Sequence, residues 1–83
     1  MSINTNYLLR IWVWRNGDLM IDRAADSLEK GRADIDRITC DIYAGLHGVG
    51  SFAIEIHAFD AYGIRLRRVE SFAPIRLPAR KTA

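Results

Sequence analysis

His47 and His57 are the only histidines of this chain and Cys40 its only cysteine. Structural and catalytic zinc sites gather Cys and His ligands at short, characteristic spacings, and neither histidine stands in such a relation to Cys40. No metal is expected. Cys40 lies beside Thr39 inside an apolar helical pattern, so it reads as a small buried or half-buried side chain rather than a nucleophile. Asp34, Arg37 and Asp41 fall at i, i+3 and i+7, the spacing of an exposed ladder of ion pairs rather than of two carboxylates shared for acid–base work. Ser27-Leu28-Glu29-Lys30 has the Ser-x-x-Lys spacing of serine acyl-enzymes, in which the lysine supports the nucleophile, but the companion motifs are missing and the chain is too short for that fold. The glycines of GLHGVG follow a helical pattern, whereas a phosphate cradle needs them ahead of one, where free N–H groups face the anion. They read as caps. The expectation is a protein that is not an enzyme and holds no cofactor.

What remains are residues suited to binding, and their placement depends on the elements that carry them. Tyr7, Leu9, Ile11 and Val13 alternate with Leu8, Arg10, Trp12 and Trp14, the period of two of a strand. Asn16-Gly17 follows, the dipeptide that most readily takes the positive φ angles of a tight hairpin, and Leu19 to Arg23 would pair back. Asp26-Ser27-Leu28-Glu29 resembles a capping box, with an acceptor three residues ahead of a Glu. Leu28, Ile35, Ile38, Ile42 and Leu46 keep helical phase over residues 27–46. Gly31 falls in the same phase, where it either allows close packing or splits the helix. Phe52, Ile54, Ile56 and Ala58 then alternate with Ala53, Glu55, His57 and Phe59 as a third strand, Asp60-Ala61-Tyr62-Gly63 is turn chemistry, and Ile64 to Phe72 reads as a fourth strand. Pro74 and Pro78 end regular structure.

The fold class this predicts is α+β: a two-layer domain, residues 1–83, with a four-stranded antiparallel sheet in the order ββαββ and one long helix on one face. Residues 1–5 and 75–83 are expected to be loose termini. A helix of about 20 residues and strands of about nine both extend about 30 Å, so the layers match in length.

One helix covers one face of such a sheet. The other carries Arg10, Trp12, Trp14, Glu55, His57 and Phe59, and, depending on register, Arg65 and Arg67. Contiguous aromatic surface marks interaction sites, and Trp and Arg are enriched among interface hot spots. Arg10, Trp12, Trp14, His57, Phe59, Arg65 and Arg67 are therefore the candidate partner-binding residues. Two structural alternatives stand beside a partner protein: cover by residues 73–83, or a second copy of the chain as a homodimer. A nucleic-acid reading uses the same face, with aromatics stacking on the bases of a single strand, arginines on phosphates, and Arg76, Arg80 and Lys81 adding affinity. GVGSFAIEI, residues 48–56, does not reproduce the signature run of an RNA-recognition motif.

The charge pattern limits these readings. The chain of 83 residues has a net charge of +2 with 49% hydrophobic residues, but residues 16–60 carry four bases against nine acids and residues 61–83 carry six bases against Glu70. A wholesale acidic mimic of nucleic acid is disfavoured by the positive sum. A single cysteine suits a reducing compartment, the start MSINTNYLLRIWVWRNG breaks its apolar run at Arg10 and Arg15 without a small-residue cleavage site, and no run approaches the roughly 20 apolar residues that span a bilayer. A cytoplasmic protein with no membrane partner is expected.

Two resemblances follow from these residues. Tyr43 to Ile56, YAGLHGVGSFAIEI, resembles the helix end and first strand of LAGLIDADG homing endonucleases: Ala44-Gly45-Leu46 and Gly50-Ser51-Phe52 match, while the intervening segment is one residue short and holds His47, Gly48 and Val49 where the metal-binding acids belong. Covering about 14 residues without the carboxylate, it implies a shared helix-to-strand packing and no nuclease activity. As a whole, a tiny Arg-rich α+β chain with an aromatic-basic face resembles, in size and character and not by motif, the small phage or mobile-element inhibitors of host machinery, including anti-CRISPR proteins. That resemblance implies a steric mechanism without turnover, in which the protein occupies a host protein or ribonucleoprotein complex in the host-cell cytoplasm.

Overall fold

Asn16 (φ 51°) and Gly17 (φ 86°) form the two-residue turn between β1 (Leu8–Arg15) and β2 (Asp18–Ala25). Both need the left-handed region, which Asn and Gly enter at least cost. The turn is also braced from outside: the Asn16 N–H donates to the Ser51 carbonyl at 2.8 Å, and Asn16 Oδ1 accepts from the Ser51 N–H at 3.0 Å. This computed structural model describes residues 8–79. Tyr7, assigned by its alternation to the core face, the expected loose residues 1–5, and Arg80 and Lys81 lie outside the described residues.

Helix α1 (Leu28–Tyr43) opens on Ser27, whose Oγ accepts the Lys30 N–H at 3.1 Å. The cap is thus Ser27 and not Asp26; Asp26 instead stands 3.8 Å from the Lys30 ammonium one turn on. Gly31, Ile35, Ile38 and Ile42 are the buried stripe. Gly31 does not split the helix, and a Cβ there would lie 3.4 Å from the Ala25 Cβ and 3.5 Å from Ile56 Cδ1, at ordinary contact distance. The helix ends three residues before the periodicity suggests. Gly45 (φ 82°) turns the chain, its N–H donating to the Ile42 carbonyl and the Leu46 N–H to that of Asp41, both at 3.0 Å, the paired bonds of a Schellman stop. Leu46, in phase with the stripe, therefore projects into solvent, and Cys40, expected to be buried or half-buried, is exposed.

β3 (Gly50–Phe59) runs antiparallel beside β1 and takes β4 (Arg65–Ser71) on its other side, giving the sheet order β2-β1-β3-β4. A short β5 (Ile75–Leu77) pairs with the start of β3, Phe52 opposite Ile75 and Gly50 opposite Leu77. The protein is a small α+β fold with one helix on an antiparallel sheet, but the sheet has five strands where four were expected, with α1 between β2 and β3. Pro74 and Pro78 flank β5, so of the stretch 75–83 expected to be loose, residues 75–77 form a strand with Ile75 buried in the core, and residues 80–83 lie outside the described residues. Ile11 and Val13 of β1, Phe52, Ile54 and Ile56 of β3, and Ile35, Ile38 and Ile42 of α1 complete that core between sheet and helix. Ion pairs tie the helix to both sheet edges, Asp34 to Arg23 of β2 at 3.1 Å and Arg32 to Glu70 of β4 at 2.9 Å. Asp34 therefore pairs across the layers and not with Arg37 along its own helix. Among the described residues, no helix is long and apolar enough to cross a membrane.

Candidate functional site

Burial of Ile11, Val13, Ile54 and Ile56 against the helix turns their neighbours in the two central strands to the opposite face. The β1–β3 register then sets Leu8 opposite Phe59, Arg10 opposite His57, Trp12 opposite Glu55, and Trp14 opposite Ala53. Trp12 is the hub of the aromatics. Its ring centroid lies 4.1 Å from that of His57 at 37°, 5.9 Å from Trp14 at 90°, and 5.6 Å from Phe59 at 65°. Edge-to-face contacts of this kind contribute about 0.5–1.5 kcal/mol beyond simple burial. His57 lies beneath this layer and is only 5% exposed.

Two carboxylates fix the rings. Glu55 Oε1 accepts from Trp14 Nε1 at 3.2 Å and from His57 Nε2 at 3.0 Å, while Oε2 accepts from Arg68 Nη1 at 3.3 Å. Asp22 of β2 accepts from Arg10 Nε at 2.6 Å and from Trp12 Nε1 at 3.2 Å through a single oxygen. The other ring nitrogen of His57, Nδ1, faces Arg65 Nη1 at 3.5 Å. The hydrogen bond from His57 holds the Glu55 carboxyl below the ordinary carboxylate range; partial burial opposes this, and the Trp14 and Arg68 hydrogen bonds and the His57 charge reinforce it. Every indole N–H on the face is thus spoken for, and the rings are locked by polar contacts at their edges.

The structure brings Arg10, Trp12, Trp14, His57, Phe59 and Arg65 together and leaves Arg67 out. The reason is a pair of bulges. Between His57 opposite Arg68 and Ile56 opposite Glu70 one extra residue, Val69, enters β4, and between Phe59 opposite Arg65 and Ala58 opposite Arg67 a second, Leu66. Each bulge resets the alternation. Arg65 and Arg68 therefore share the open face, and Arg67, opposite the core-facing Ala58, belongs to the helix side. Arg68 and Asp22 are the members that sequence reasoning missed. Neither carries a signal in the sequence: a regular two-residue turn at 16–17 would set Ile21 opposite Trp12, and Asp22 arrives there only because Met20 is an extra residue in β2, as Val69 is in β4 for Arg68.

A carboxylate–imidazole pair is also the equipment of general-base chemistry. Here the imidazole is covered by Trp12 and bonded at both nitrogens, so its observed role is to link Glu55, Arg65 and the indole. The chain matches no protein-family model, and no curated protein or solved structure is found similar to it.

Proposed function

We propose that the protein is a non-enzymatic, cytoplasmic binding module that receives a partner protein on the open sheet face and acts as an inhibitor or adaptor by occupying a host protein or ribonucleoprotein complex. The observation that carries this reading is the pair Trp12 and Trp14, held in place by Asp22 and Glu55, with Phe59 packed edge-on against Trp12. Aromatic anchors whose rotamers are already fixed lose little conformational entropy on docking, which is the main cost a binding surface can reduce in advance. Three arginines, Arg10, Arg65 and Arg68, flank the cluster, against two acids within it. This near balance suits a protein surface better than a phosphate backbone, since Asp22 and Glu55 repel a polyanion where the aromatics would meet it.

The test is affinity capture from host lysate, with nuclease treatment, comparing wild type with Trp14→Ala and Arg10→Ala. A defined host protein retained after nuclease by wild type and lost by both variants is the expected result. Equal retention by all three, or recovery of nucleic acid alone, overturns the reading. Sedimentation of the purified chain addresses a second copy: a dimer that Trp14→Ala dissociates would assign the face to self-association.

A further inference from the structure

The β3–β4 hairpin is a second surface that shares Arg65 and Arg68 with the aromatic face, Arg68 also reaching Glu55 there at 3.3 Å. The chain reverses over Asp60–Ile64, and four hydrogen bonds hold the reversal. Asp60 Oδ1 accepts from the Tyr62 and Ile64 N–H groups at 2.9 Å each, the Asp60 N–H donates to the Ile64 carbonyl at 2.9 Å, and the Gly63 N–H donates to the Asp60 carbonyl at 3.1 Å. On this fixed turn Tyr62 is 90% exposed, and Ile64 and Leu66 project beside it. Arg65, Arg67 and Arg68 follow at once, all exposed, with no acid between residues 61 and 69. The bulges at Leu66 and Val69 distribute these arginines over both faces of β4, and among the described residues the strand's outer edge has no neighbour in the sheet.

Three occupants fit an exposed edge: a second copy, an added peptide strand, or a polyanion. Two β4 edges pairing with each other would set arginine against arginine, which disfavours a second copy. An added strand of an acidic peptide needs a regular ladder, and two bulges within seven residues break and twist this one. A polyanion needs protruding donors and no ladder. Arginines on an edge also guard it against strand pairing, but a guard requires only charge, and a fully projected tyrosine on a rigid turn adds nothing to that task. An aromatic next to arginines is the combination that takes an unstacked base and its phosphates.

We propose that this hairpin binds single-stranded nucleic acid, with Tyr62 stacking on a base and Arg65, Arg67 and Arg68 holding successive phosphates. The inference goes beyond the protein-binding reading of the aromatic face and does not depend on it. Together the two surfaces would let the molecule engage the protein and nucleic-acid parts of one complex.

The probe is a dye-labelled single strand of about 12 deoxythymidines, followed by anisotropy with the full chain at salt from about 50 to about 200 mM. Binding is expected with a log–log salt slope of about −2, from roughly 0.7 per phosphate over three arginines. Arg67→Gln should reduce the slope by about 0.7. Tyr62→Ala should weaken binding about tenfold and leave the slope unchanged, because stacking releases no counterions. Neither residue belongs to the aromatic face or the core, and circular dichroism of both variants checks the fold. The proposal is overturned if the strand does not bind at about 50 mM salt, or if both variants bind as wild type. It is equally overturned if Trp14→Ala rather than Tyr62→Ala carries the loss, which would place the strand on the aromatic face. Competition by a polyglutamate chain as effective as that of unlabelled strand would assign the hairpin to an acidic protein and reject it too.

Discussion

Replacing Glu55 by Gln keeps the shape of the side chain and removes the charge on which three donors converge. With Oε1 still facing Trp14 and His57, the amide nitrogen takes the place of Oε2 and meets Arg68 Nη1 donor to donor. Charge-assisted hydrogen bonds are about twice as strong as neutral ones, so the bonds from Trp14 and His57 each lose roughly 1 kcal/mol. The Arg68 contact adds little, because that guanidinium is 57% exposed. The expected loss is about 2 kcal/mol near neutral pH, or a fall in melting temperature of roughly 8–16 °C for a domain of this size. The acid dependence gives the sharper check. Glu55 titrates below its unfolded value of about 4.3, so its contribution is fully present above that pH and is lost as pH falls through the folded-state value. Glu55→Gln has no such group to protonate, and the gap between the two proteins should close on acidification. Thermal melts followed by far-UV circular dichroism over a pH series measure both quantities. A gap that stays constant from about pH 7 to about pH 3, or a variant that melts with wild type at neutral pH, refutes the reasoning.

Three further changes test the frame around the face, each read from chemical denaturation. Gly31→Ala should stabilise the protein by about 0.5–1 kcal/mol, since the methyl meets Ala25 and Ile56 at ordinary contact distance and helix propensity improves; a loss would mean that α1 cannot yield even a few tenths of an ångström. Gly50→Ala should cost about 2 kcal/mol, because Gly50 holds φ at 140° and its new Cβ would stand 2.6 Å from Asn16 Oδ1, and wild-type stability would show that the Asn16 brace is dispensable. Ile75→Ala should cost about 2–4 kcal/mol as a core truncation, whereas a segment that merely trails from the domain would leave stability unchanged.

The open face was legible because alternation is a local property: once Ile11 and Val13 face the helix, Trp12 and Trp14 cannot. Asn16-Gly17 gave the hairpin by the same kind of local necessity, as Gly45 gave the end of the helix, although the phase of Leu46 pointed further. Features that depend on pairing between distant segments were hidden. Nothing in Arg-Leu-Arg-Arg-Val marks two residues as extra, because a bulge is defined by the partner strand and not by its own side chains, and this cost Arg68 its place and gave Arg67 one. Pro74 and Pro78 read as stops, yet three residues between them suffice for a strand once Phe52 offers Ile75 a partner. Asp34 reads as part of a helical ladder until β2 brings Arg23 over it.

The chain has two tryptophans, and both lie on the same side of the sheet. Excited at wavelengths that tyrosine does not absorb, their emission is therefore a built-in optical label of the aromatic face, to which Tyr43 on the helix and Tyr62 at the hairpin tip do not contribute. Because the two indoles meet edge to face at 5.9 Å, their coupled transitions add a circular-dichroism signal that vanishes if either ring turns away. A partner protein docking on the indoles should shift the emission strongly, whereas a strand stacked on Tyr62 reaches them only through the Arg68–Glu55–Trp14 contacts and should shift it less, so the two binding events can be told apart in one unlabelled sample.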